Sequence, residues 1–200
     1  MCSLPSCQPD SETQHRKEKV HAGNRTAREQ FKEVHQYVEE IMANVTPEQA
    51  HWHPAGTVVN SLGGNYAHII LTEDLVINAL LKGGASFFAS TWAGKTGMSS
   101  LPPLPTPEIS GLPSWQEWST HVHIDLNALR SYAQATYAAS DVYLAALSDE
   151  QLRQTVDLTW VGLGTPTIQW ILSEVLVACH SSFERREGKG VSFKKTRGRI

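Results

Sequence analysis

The chain has 200 residues, a formal net charge of −3 and 18% charged residues, which suits one globular domain with a single core. The acidic balance argues against a general nucleic-acid or polyanion partner, and no apolar run reaches the roughly 18 residues that a membrane-spanning helix needs. Cys2, Cys7 and Cys179 cannot all pair and form no Cys-x-x-Cys, so a reduced cytoplasmic protein without structural disulfides is expected.

Residues 1–26 are polar, lack the apolar segment of a secretory signal and read as a disordered tail. A first helix is expected over about Ala27 to Ala43, with Phe31, Val34, Val38, Ile41 and Val45 at helical spacing. Thr46-Pro47-Glu48-Gln49 has the pattern of a capping box with proline at the first helical position, and His53-Pro54-Ala55-Gly56 limits that helix to a turn or two. The second long helix starts near Asn60 or Ser61 and closes at Gly83-Gly84; Tyr66, Ile69, Ile70, Leu75, Val76, Leu80 and Leu81 make it apolar on a wide face, as befits a central element. A Gly/Ser/Pro-rich connection to Pro113, including Leu101-Pro102-Pro103-Leu104-Pro105, reads as a lid or crossover.

The third helix opens at Ser114-Trp115-Gln116-Glu117, again a capping-box pattern, and one stripe of Val122, Leu126, Leu129, Ala133, Tyr137, Leu144 and Leu147 carries it to Ala146 or Leu147. Ser148-Asp149-Glu150-Gln151 echoes Thr46-Pro47-Glu48-Gln49, a faint internal similarity. After an irregular piece, Thr165-Pro166 starts the fourth helix, whose buried face is Ile168, Ile171, Leu172, Val175, Leu176 and Cys179. Four long helices and almost no strand pattern define an all-α four-helix bundle over residues 27–184, with a long crossover between helices 2 and 3. The basic tail, 185–200, is expected to be disordered or divergent.

Three residues stand out chemically. His180 and Glu184 are four apart, hence on one helix face, and His180 shares that face with Leu172 and Leu176. His68 lies on the apolar face of the second helix with Leu71 and Leu75. A lone inward histidine is more often a hydrogen-bonded core residue than a ligand, but two on separate long helices match the way bundle metal sites are built. Two neutral imidazoles and one carboxylate would hold a divalent metal and leave positions open for water or substrate.

Gly63-Gly64-Asn65-Tyr66-Ala67-His68, followed by Glu73-Asp74, resembles the DinB superfamily of metal-binding four-helix bundles. The similarity runs from about Glu29 to His180 and takes in Phe88 to Gly97 and Ile124 to Arg130. The family is related to DNA-damage-inducible proteins and to thiol-dependent transferases. The resemblance implies a divalent metal held by a histidine of the second helix and a His-x-x-x-His pair ending the fourth. By position these are His68, His180 and Glu184, the last in place of the family's histidine. Beyond it the family's Gly-Glu-Ile is replaced by Arg185-Arg186-Glu187-Gly188. Two explanations stay open: a His-to-Glu ligand swap, or a tail that has diverged or been read in a shifted frame.

Other motifs carry less. His121-Val122-His123 in a helix would point its imidazoles apart and reads as solvent-facing, while His51 and His53 sit in a turn. Gly94-Lys95-Thr96 lacks the upstream glycine of a phosphate-binding loop. The tryptophans read mostly as packing anchors, with Trp92 as the candidate for a pocket mouth. The resulting expectation is a cytoplasmic DinB-like protein that binds a divalent metal (zinc, nickel, iron or manganese) in its core. It would act on a small electrophile with a low-molecular-weight thiol or water, as a transferase or hydrolase. The alternative is a stress-related binding or scaffold bundle whose metal is structural or lost. The expected partners are a small-molecule substrate or thiol, with no nucleic acid and no membrane, and a homodimer is left open.

Overall fold

In the computed structural model, residues 22–53, 60–100, 102–103 and 114–184 are described; the expected basic tail and most of the expected N-terminal one lie outside them. Helix α1, Ala22–Met42, starts five residues before the expected Ala27 and buries Phe31, Val34, Val38 and Met42 along one face. Thr46 then caps α2, Pro47–His51: its hydroxyl accepts from Gln49 N–H, and the Gln49 side chain accepts from Thr46 N–H.

Helix α3, Leu62–Asp74, is capped by Ser61 and continues as a π-helical segment, Leu75–Leu81. Its first turn is pressed between α2 and the next helix. A Cβ on Gly64 would lie 2.7 Å from Ser119 Cβ, and one on Gly63 would lie 3.2 Å from Ala50 O. The Gly-Gly pair therefore sets how closely three segments pack. Every described position from Leu62 to Leu71 is buried except His68, which is half-buried, so the central placement expected of this helix holds.

The expected third helix is two helices. Trp115–His121 forms α4, capped by Ser114, and Leu126–Ala146 forms α5, capped by Asp125. The break between them is held from outside: Ile124 N–H donates to His51 Nε2 at 2.8 Å, Ser99 N–H to His123 O at 2.9 Å, and Asp125 N–H to Gly97 O at 2.8 Å. Continuous periodicity over 114–147 could not reveal partners supplied by distant loops. Gly97 has φ +81°, and a Cβ there would meet Asp125 O at 2.5 Å. Gly97→Ala should accordingly cost about 1–3 kcal/mol, read as a lower urea midpoint at unchanged slope.

Ser148 caps the short α6, Asp149–Leu152, with a second complete capping box, so the two echoing tetrapeptides adopt the same local structure. Isolated bridges Thr155↔Thr167 and Leu158↔Gly164 fold the irregular piece back on itself. The last helix, α7, Ile168–Glu184, begins after the expected Thr165-Pro166, where the Thr167 hydroxyl accepts from Trp170 N–H. The tryptophans are less uniformly core than expected: Trp118 is buried, but Trp52, Trp160 and Trp170 are exposed.

The long helices form an all-α bundle in which α1 packs on α5 and α7, and α3 packs on the same two. Side-chain pairs fix the directions. Arg28 grips Asp141 with two hydrogen bonds of 2.6 and 2.7 Å and holds its carboxyl down to about 2, while at the other end Arg130 reaches Met42 O. Helices α1 and α5 are therefore antiparallel. Leu172 and Val175 cluster with Phe31 and Ile77, whereas Cys179 clusters with Val38 and Tyr66. Helix α7 thus runs parallel to α1 and antiparallel to α3. Among the described residues no helix is long and apolar enough to cross a membrane.

Candidate functional site

His68 projects from the middle of α3, one turn beyond the Gly63-Gly64 contact. Its imidazole meets the Trp115 ring edge-on, with centroids 4.4 Å apart, and Trp115 in turn meets Trp118 at 5.1 Å. His68 Nδ1 is buried and has no hydrogen-bond partner. Burial pushes the His68 pKa below the usual imidazole range. The unfolded chain then binds a proton that the folded chain refuses, so this contribution to stability is complete above about pH 6.5. It is lost as the pH falls from there towards the depressed folded value. Chemical-denaturation midpoints should fall with pH across that window in wild type, and more shallowly in His68→Leu.

His180 and Glu184 lie in the final turn of α7, as helical spacing requires, but their side chains are outside the described residues. Cys179, just before them, is buried, and burial followed by the nearby Glu73 charge pushes its thiol pKa up. It is a packed, protonated thiol rather than a nucleophile. The His-x-His pairs have structural jobs. His51 Nδ1–H donates to Pro47 O at 2.6 Å while its Nε2 accepts from Ile124 N–H, and His53 Nδ1–H donates to His51 O at 2.8 Å. His121 and His123 are exposed, as expected, although His123 stands beyond the helix and stacks on His51. Trp92 is half-buried and packs against Tyr132, while the ring next to His68 is Trp115.

A polar centre unread in the sequence lies deeper. Glu73 and Asp74 are fully buried. Asp74 accepts four hydrogen bonds: Asn78 Nδ2–H at 2.8 Å and Phe87 N–H at 2.9 Å on Oδ1, then Phe88 N–H at 2.8 Å and Tyr132 O–H at 2.6 Å on Oδ2. Lys82 Nζ donates to Asn78 Oδ1 and so backs the chain with a positive charge. The carboxylate is saturated, and it ties the start of the long crossover to α3 and α5.

Glu73 accepts from His35 Nε2–H at 2.8 Å through Oε2, but its Oε1 has no partner. His35 stacks on Tyr137 at 3.7 Å. Tyr66 and Tyr137 both donate to Glu39, at 2.7 and 3.3 Å, and burial first, then the hydrogen bond to Glu39, raises the Tyr66 pKa. Helices α1 and α3, which face each other across the bundle, thus meet through side chains at its middle. The available signal was two adjacent carboxylates inside an apolar run, Ile69-Ile70-Leu71 before and Leu75-Val76-Ile77 after.

An all-α bundle with a half-buried histidine on a central helix, its Nδ1 buried and unpartnered, is the class these observations define. The family model of the DinB superfamily matches residues 30–177, and the chain belongs to that superfamily. Among solved structures it is similar to a conserved protein from Enterococcus faecalis, with a TM-score of 0.63 and 23% identity over 79% of this chain and 89% of that one, a likeness of fold. A search of curated proteins gives no match.

The family implies a divalent metal, and the residues fit it in part. His68 offers the neutral imidazole that ligation requires, with an unclaimed nitrogen. Among the described residues no three His, Cys, Asp or Glu side chains gather into a metal site. His180 and Glu184, the other two donors that the resemblance implies, have their side chains outside the described residues.

Proposed function

We propose that the chain holds one divalent cation (zinc, nickel, iron or manganese) through His68 and His180, with Glu184 as third donor or nearby base, and acts on a small electrophile. The observation that carries this reading is the unpartnered, buried Nδ1 of His68. The antiparallel packing of α7 on α3 supports it, because the backbone beyond Cys179, which clusters with Tyr66, runs along the half of α3 that leads up to His68 from its N-terminus. When bound there, such a cation would supply Lewis acidity that lowers the pKa of a low-molecular-weight thiol or water at neutral pH. His68 stays unprotonated, Trp115 covers one side of its ring against water, and Glu184 supplies a donor oxygen or takes the proton that the nucleophile releases.

Elemental analysis of the tag-free chain, equilibrated with each of the four ions, tests this reading. One equivalent of an ion in wild type and its loss in His68→Ala is the expected result. No ion retained by wild type would remove the enzyme reading and leave a binding or scaffold bundle. If an ion binds, thiol addition to an electrophile, followed spectrophotometrically, separates catalysis from a structural role.

A further inference from the structure

The joint between α4 and α5, residues 122–125, is held from outside by Gly97, Ser99 and the imidazole of His51. Of these only the imidazole titrates, and both of its nitrogens are committed. Nδ1–H donates to Pro47 O at 2.6 Å, and Nε2 accepts from Ile124 N–H at 2.8 Å. A backbone N–H can only donate and a carbonyl can only accept, so the two contacts fix one neutral tautomer. A second proton would sit on Nε2 and face the Ile124 donor. Ile124 is 1% exposed, so its N–H has no water to turn to while the joint stays in place. His51 itself is half-buried, within reach of protons from solvent.

We propose that His51 is a pH-operated latch on this joint. Neutral, it locks α2 to Ile124; protonated on Nε2, it loses its acceptor, frees the Ile124 N–H and lets the joint shift. Histidine changes charge between about pH 5 and 8, so the latch is closed at neutral pH and opens on acidification. No group beside the ring replaces the lost acceptor. His123 stacks on it at 4.9 Å, His53 Nδ1–H donates to His51 O, and His121 Nδ1–H donates to Glu117 O. Glu48, one turn back on α2, attracts the imidazolium without offering Ile124 an acceptor. Asp125, next to Ile124, has its carboxylate committed to Asn127 and Ala128 N–H as the cap of α5. The movement has a path into the bundle, because a Cβ on Gly63 would lie 3.2 Å from both Ala50 O and Ile124 Cδ1. The first turn of α3 is thus wedged between α2 and the joint. Helix α4, which ends at the joint, carries Trp115 against His68. An open joint therefore frees the end of the helix that lies on His68, whether or not a metal binds there.

Amide hydrogen exchange at Ile124, corrected for the intrinsic pH dependence of exchange, tests this. In wild type its protection should fall about tenfold between about pH 7.5 and about pH 5, as loss of one backbone hydrogen bond implies. Amides of α5 beyond Leu129 should keep theirs. In His51→Gln the side-chain oxygen reaches the Nε2 position and does not titrate, so Ile124 protection should be equal at both pH values. The titration of His68 is common to both proteins and drops out of the comparison. The nitrogen resonances of His51 in wild type should report a ring bare at Nε2 near neutral pH. That ring should gain its proton over the pH range in which Ile124 loses protection. Ile124 protection that does not fall in wild type, or that falls equally in His51→Gln, overturns the proposal. So does a His51 ring that carries its proton on Nε2 at about pH 7.5, or that stays neutral at about pH 5. The ring measurement uses wild type alone and decides the matter even if His51→Gln does not fold.

Discussion

Asp74→Asn lowers the thermal midpoint by roughly 6–12 °C, the equivalent of about 3 kcal/mol in a chain of this size. The size of the effect follows from the four donors converging on a fully buried carboxylate. An amide presents one oxygen and one NH2 group in the same space. If the NH2 replaces Oδ2, Tyr132 can turn its hydroxyl to accept, but Phe88 N–H faces another donor. If it replaces Oδ1, Asn78 can flip, but Phe87 N–H is stranded. Either orientation leaves a buried backbone N–H without an acceptor, and the Asn78 and Lys82 chain loses the negative charge it was built around. Asp74→Ala strands all four and should cost more, about 3–5 kcal/mol. Circular dichroism melts give the midpoint, and hydrogen exchange at Phe87 and Phe88 should accelerate in both variants. Full exchange protection of those two amides in Asp74→Ala would refute this account of how the crossover is anchored.

If His68 holds a divalent ion as proposed, His68→Ala should weaken affinity for that ion by at least about 100-fold. Loss of an outer partner of a metal ligand already costs 10–100-fold, and removal of a ligand itself costs no less. His68→Gln, which keeps a polar side chain of similar length but no imidazole, should lose nearly as much. The fold should survive both changes, because His68 makes no hydrogen bond through Nδ1 and is only half-buried. Competition with a chromophoric chelator measures the affinity. Equal affinity in wild type and His68→Ala would place the ion elsewhere, and His180→Ala measured alongside tells whether the helix-end histidine shares the load.

The bundle was legible because its signals are local. Thr46-Pro47-Glu48-Gln49 and Ser148-Asp149-Glu150-Gln151 both form the capping boxes that their spacing implies, since each needs only residues three positions apart. The apolar stripes of α1, α3 and α7 identified the buried faces for the same reason. The break at Val122 to Asp125 was illegible. Its backbone groups are met by His51, Ser99 and Gly97, up to 73 residues away, and no periodicity encodes them. The central polar cluster shows a related failure. Glu73 and Asp74 entered the sequence reading only as the acidic residues that follow the histidine motif, because what permits their burial is contributed by α1, α5 and the crossover.

By itself the sequence determined most of the helical segments and the apolar faces they bury. These depend on propensity, periodicity and capping, which act over a turn or two of chain. Only the tertiary structure decided that burial depresses the His68 pKa and leaves a ring nitrogen unclaimed, that Trp115 lies against it, and that two buried carboxylates, Glu73 and Asp74, follow further along the same helix. Desolvation and hydrogen-bond partnership depend on what the other helices bring to a point in space, and that is fixed by packing.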